Sequence, residues 1–126
     1  MKIYIAAKFE KKSEVLALYE KFKSEGHEIA YDWTTHKPIK PYENNQEIAK
    51  EYSDNELKAI ENCEVFIYIA DEKEMILPME LGAALMLNKA TGKPQIYAVG
   101  GNNDKSQWFF NKGVIRVDSA EQIKLK

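Results

Sequence analysis

Cysteine is all but missing from this sequence, Cys63 being the single one in 126 residues. No internal disulfide can form, and the chain is expected in a reducing, cytoplasmic compartment. Histidine is nearly as scarce: His27 and His36 stand apart with no second cysteine to join them. That spacing offers no recognisable ligand set, so neither a metal nor a cofactor is expected. Six glycines and four prolines are too few for a collagen-like or low-complexity chain. No apolar run approaches the roughly 18 residues of a membrane span, and no signal-peptide core is visible, so no membrane partner is expected. Positive charge is not in excess either. Lys plus Arg number 18 against 20 Asp plus Glu, for a net charge of -2. Polymeric nucleic acid is therefore not an expected partner.

What is present is ordinary globular material, 44% hydrophobic and 30% charged. Residues 1–126 read as one domain, and a chain of that length buries about two-thirds of its unfolded surface in one core. Lys2 to Ala7 is a short apolar run of the kind found in buried parallel strands. Val15, Leu16, Leu18, Tyr19 and Phe22 recur at helical spacing up to Gly26, a residue suited to ending a helix. His27 to Trp33 predicts a second strand, followed by a long loop to Pro41. Asn45 to Asn62 is polar with Ile48, Tyr52, Leu57 and Ile60 as spaced anchors, which predicts a second helix. Glu64 to Ala70 is the strongest strand, uninterrupted and bulky. An acidic loop from Asp71 to Glu74 leads to a helix with Pro78 in its first turn and its end near Gly92. Pro94 to Val99 and Gly113 to Val117 supply two more strands, before a final helical turn.

Alternating strands and helices with right-handed crossovers predict an α/β fold. The expected form is a three-layer, doubly wound parallel sheet of about five strands, in the flavodoxin-like or Rossmann-like order 2-1-3-4-5. Ligands of such sheets bind beyond the carboxyl ends of the strands. Ala7 to Lys12, Asp32 to Tyr42, Asp71 to Glu80 and Gly100 to Phe110 converge there. Asp71, Glu72, Glu74 and Glu80 concentrate negative charge at that edge, facing Lys8, His36, Lys37 and Lys40. Glu80 falls in a first helical turn, where free amides and the helix dipole favour its ionised form. Such a carboxylate is a candidate nucleophile. A phosphoacceptor site of the receiver type is excluded because Ala6, Ala7 and Lys8 stand where an acidic pair would have to hold magnesium. No G-x-G-x-x-G turn or Walker lysine motif is present.

At these residues the sequence resembles the nucleoside 2-deoxyribosyltransferase family, including its relatives that hydrolyse deoxynucleoside 5'-monophosphates. The similarity rests on Asp-Glu-Lys-Glu-Met-Ile-Leu-Pro-Met-Glu-Leu-Gly-Ala-Ala-Leu at 71–85, on Ile3-Tyr4-Ile5-Ala6, and on Asp54, which stands 26 residues before Glu80. The resemblance implies that Glu80 is the nucleophile, that Tyr4 hydrogen-bonds and orients it, and that Asp54 contacts the substrate and assists base departure. It implies a retaining double displacement on a small nucleoside or nucleotide. Glu74 takes the place of another substrate-contacting acid. Ala6, Lys8, Phe9, Trp33, Asp71 and Pro78 complete the candidate substrate-binding set. The sequence differs from the family where Ile76 and Pro78 replace glycines, which predicts a narrower or altered pocket. A non-catalytic nucleotide or ribosyl-ligand binder on the same fold is the alternative.

Two aromatic groups lie at the same edge. Trp33 beside Thr34, Thr35 and His36 suits stacking on a base, while a lone loop histidine is expected to be incidental. Trp108, Phe109 and Phe110 are expected to close a pocket, bury themselves in a contact between two copies, or pack locally. A homodimer or higher homo-oligomer is expected.

Overall fold

Runs of Val, Ile and aromatic residues build the sheet. β1 (Lys2–Ala6), β2 (Glu28–Ile29), β3 (Val65–Ile69), β4 (Gln95–Val99) and β5 (Val114–Val117) pair in parallel, in the order β2-β1-β3-β4-β5. The coordinates are a computed structural model that describes residues 1–70 and 78–125. β3 lies between β1 and β4, and all five of its residues are buried. Its unbroken Val-Phe-Ile-Tyr-Ile follows from that position, since a central parallel strand has no face to give to water.

Helices α1 (Lys12–Ser24), α2 (Gln46–Asn62) and α3 (Met79–Thr91) cover the two sides of the sheet. α1 buries Val15, Leu18, Tyr19 and Phe22, an i, i+3, i+4, i+7 stripe. α2 and α3 pack against each other. α3 ends at Gly92, whose φ of 84° is the left-handed cap that a side chain would strain. Register sets Tyr4 of β1 beside Phe66 of β3, and their rings stack with centroids 5.6 Å apart. The doubly wound α/β fold expected from the sequence is therefore the fold observed.

Two local expectations need correction. The second strand does not run to Trp33: only Glu28 and Ile29 pair with β1, and Ala30 adds one further bond to the Ile3 carbonyl at 2.8 Å. Asp32 ends the strand, because its carboxylate accepts from the Thr34 amide at 2.9 Å and from the Thr34 hydroxyl, starting a 3-10 turn over Trp33–Thr35. A short acid that captures nearby backbone amides competes with sheet pairing, and an edge strand has one partner to lose. Pro78, secondly, is not in the first helical turn. It precedes α3 in an extended conformation (φ -70°, ψ 145°), which makes Glu80 the second residue of the helix.

The loop from 100 to 112 also holds structure the sequence did not signal. Ser106 caps a 3-10 turn over Gln107–Phe110, and Phe109 is buried there with its ring stacked on Tyr68 at 6.0 Å. Trp108 and Phe110 stay exposed on either side of it. The expectation of local packing therefore holds for one ring of the three.

Candidate active site

Tyr4 places a phenol hydroxyl inside the core. The residue is fully buried, and among the described residues its Oη has no hydrogen-bond partner. An orphaned buried hydroxyl costs roughly 1–3 kcal/mol, so it calls for an explanation beyond packing. Burial raises the phenol above its ordinary value, and the charges of Glu56 and then Glu80 raise it further. Tyr4 is thus a neutral donor facing two acids. Tyr4→Phe is expected to leave stability unchanged or to raise it by about 1 kcal/mol, because the deleted group is unpartnered. Urea unfolding measures this, and a loss of stability would show that the hydroxyl has a structural partner.

Glu80 is presented from the first turn of α3, partly buried, where the amino end of the helix favours a carboxylate. Glu56 comes from the middle of α2. Burial first, and the neighbouring charge of Glu80 second, push its carboxyl up to about 7. Two acids thus sit within electrostatic reach of each other and of Tyr4, and the charge of Glu80 disfavours ionisation of Glu56. Near neutral pH Glu56 holds a proton for much of the time, as a general acid must.

The structure does not bring Asp54 to this cluster. Its side chain is 62% exposed and pairs with Lys58 at 3.0 Å, one turn along the same helix. Positions 54 and 56 differ by about 200° around a helix, so when one faces the sheet side the other faces away. Glu56, the carboxyl that the charge of Glu80 reaches, is a residue the sequence reading did not single out. A signal was available, because Tyr52 and Ile60 are buried-face anchors and Glu56 lies four residues from each.

The other candidates are distributed as follows. Ala6 is buried at the end of β1. Lys8 is partly buried and extended ahead of a 3-10 turn over Phe9–Lys11. Phe9 is half exposed, its ring 6.2 Å from that of Trp33 and within 5.5 Å of the Lys12 ammonium. Trp33 is buried in the core, its Nε1–H donating to the Ile5 carbonyl at 2.6 Å. Its polar handle is therefore committed to β1. Pro78 leads directly into the helix that carries Glu80. Asp71 and Glu74, like Ile76, lie outside the described residues.

A cleft of about 520 Å³ opens from Glu56 between α2 and the loop after β2. Phe9, Tyr42 and Tyr52 wall it, Lys37 and Lys40 stand on it, and His36 lines it as well. His36 is more than an incidental loop residue. Its ring stacks on Tyr52 with centroids 3.6 Å apart, and its Nε2 lies 2.6 Å from the Tyr31 hydroxyl. Burial lowers the imidazole pKa, while burial first raises that of Tyr31. Both groups are held neutral, and the Tyr31 hydroxyl and Nε2 share a hydrogen bond whose direction the imidazole tautomer sets. Tyr52 in turn accepts from the Lys37 amide at 3.1 Å, and the Asn45 side-chain amide donates to the Ile39 and Pro41 carbonyls, both at 3.1 Å. These bonds hold the loop against α2 and keep the cleft open. A separate cavity of about 460 Å³, between α1 and the ends of β3 and β4, holds none of the candidate catalytic residues.

Among the described residues no three His, Cys, Asp or Glu side chains gather as a metal ion requires. No helix among them is long and apolar enough to cross a membrane.

No family model matches the chain, and no curated protein matches it. Among solved structures it is similar to a CMP N-glycosidase, BcmB, of Clostridium botulinum, with a TM-score of 0.59 and 17% sequence identity. The superposition covers 95% of this chain and 90% of the other. At that identity the likeness is one of fold.

Proposed function

We propose that residues 1–126 form a single domain that cleaves or exchanges the N-glycosidic bond of a nucleoside or nucleoside 5'-monophosphate through a covalent intermediate on Glu80. One observation carries this reading: Glu56, its carboxyl raised to about 7, lies beside a second acid presented at a helix start. In retaining glycosidases one carboxyl attacks while a second, kept protonated by a raised pKa, serves as the acid, and Glu56 has the raised value of the second. Glu80 attacks C1' of the sugar as the C1'–N bond breaks, and Glu56 gives its proton to the departing base. Water, or the N–H of a second base, then loses a proton to Glu56 while attacking C1', which releases Glu80 as a carboxylate and retains the configuration. Tyr4 makes no hydrogen bond to Glu80 in this structure; with substrate bound, its neutral hydroxyl is the donor that meets the Glu80 carboxylate and orients the attacking oxygen. Lys8, Phe9, Asp71 and Glu74 contact the substrate.

The structural neighbour's name supports testing nucleoside monophosphates first. Purified protein incubated with deoxynucleoside and ribonucleoside monophosphates, and with the parent nucleosides, is expected to release free base on chromatography. No release and no exchange across the panel would leave the non-catalytic alternative.

The same reading includes a homodimer, assigned to the exposed apolar side chains of α2 and α3. Leu57 on α2 and Met79 and Met86 on α3 are 56%, 90% and 65% exposed, and exposed large apolar side chains favour a protein contact. Met79→Glu with Met86→Glu is expected to convert a dimer to a monomer in light scattering. A wild-type monomer overturns this element of the reading alone.

A further inference from the structure

The cleft beside Glu56 combines two features that select different parts of a ligand. Its walls are aromatic: Phe9 and Tyr42 are about half exposed, the Lys40 ammonium lies 6.0 Å from the Tyr42 ring, and the His36–Tyr52 pair forms a parallel stack braced by Tyr31. Its rim is cationic. Lys37 and Lys40 both line it, and among the described residues neither has a carboxylate within ion-pair distance. Among the described lining residues Glu56 is the one acid, against two lysines. The rim therefore carries an excess of positive charge.

We propose that this cleft is built for a planar aromatic ring bearing an anionic group, so that the substrate is charged and Lys37 and Lys40 select it over its neutral parent. The proposal rests on the N-glycosidic reading for the presence of a sugar, and on the cleft alone for the ring and the anion. The ring lies between the aromatic walls, and the anion meets the two ammonium groups as point charges. Two sources supply that chemistry: the 5'-phosphate of a nucleotide, or a carboxylate carried by the base. Lysines that meet an exposed anion act through a salt-sensitive attraction, so the preference is expected to fade as ionic strength rises.

The test is binding by calorimetry at low salt, with CMP, cytidine, uracil and its 6-carboxylated form orotate as probes. The proteins are the wild type and Lys37→Met with Lys40→Met, both lysines being exposed and their replacement no threat to folding. Wild-type protein is expected to bind an anionic probe at least about tenfold more tightly than its neutral counterpart, a gap of about 1.4 kcal/mol. The double variant is expected to lose that gap while keeping its affinity for the neutral partner. CMP over cytidine assigns the anion to the phosphate, and orotate over uracil assigns it to the base. Equal affinities in the wild type, a gap that survives in the double variant, or no binding of any probe overturns the proposal. Base release is scored separately. Lysine-dependent binding without release sinks the catalytic reading and leaves this one, whereas release with lysine-independent affinity does the reverse.

Discussion

Glu80→Gln is expected to lower base release by at least about 1,000-fold, with substrate affinity changed by no more than a few-fold. Glutamine keeps the shape and the polar contacts of the side chain, but it cannot form the glycosyl ester. The group sits in the first turn of α3, so the lost charge–dipole interaction removes only about 0.3–1 kcal/mol of stability. Unfolding can therefore be excluded as the cause by a denaturation curve. A merely structural carboxylate would show the opposite balance, with stability lost and turnover kept. Mass spectrometry adds a readout that only a nucleophile moves. Wild-type protein quenched during turnover of a slow substrate gains the mass of the sugar or sugar phosphate, and the variant does not. Retention of more than about a tenth of wild-type turnover by Glu80→Gln would sink the covalent mechanism.

The backbone of the candidate site was legible in the sequence, and the place of Glu56 was not. Strand runs and helical stripes depend on burial periodicity, which local composition records: the unbroken apolar run at 65–69 announced the central strand, and Val15, Leu18, Tyr19 and Phe22 announced the covered face of α1. The place of Glu80 in the first turn of α3 was legible for a similar reason, since Pro78 and the apolar run from Leu81 mark a helix start. Asp54 and Glu56 are different. Both are acids on one polar helix, and what separates them is the rotation of that helix against the sheet, a tertiary property. The pairing of Tyr52 and Ile60 fixes that rotation, but only once the helix is known to lie over Tyr4. The second strand was drawn too long, to Trp33, because Asp32 turns the chain there, and one side-chain-to-backbone bond of 2.9 Å outweighs the strand propensity of the segment. The wall of the cleft was invisible for a third reason. Tyr31, His36 and Tyr52 belong to a strand end, a loop and a helix, and only their meeting gives the histidine a role.

Glu56→Gln carries the second large effect, and its sign differs between activity and stability. The carboxyl of Glu56 is raised in the folded protein to about 7 from an ordinary 4.5. Between those values the folded state binds more protons than the unfolded one, so this group makes stability fall as pH rises through the window. The penalty is absent below pH 4.5 and fully present above about 7. Glutamine removes the titration, so the variant is expected to be more stable than wild type at pH 8, by on the order of 1–3 kcal/mol, and about equal to it at pH 4.5. Activity moves the other way. A proton donor must be protonated in the free enzyme, so wild-type kcat/KM is expected to decline above pH 7. The variant, lacking a donor, is expected to be slower by about 100- to 10,000-fold and to lose that alkaline limb. A substrate whose base leaves readily without protonation should be spared most of this loss, because the missing proton matters least where the leaving group needs it least. A protein made more stable at pH 8 yet slowed only for poor leaving groups has lost an acid, not a structural contact. Equal slowing for good and poor leaving groups, or an alkaline limb that survives in Glu56→Gln, would assign the proton to another group.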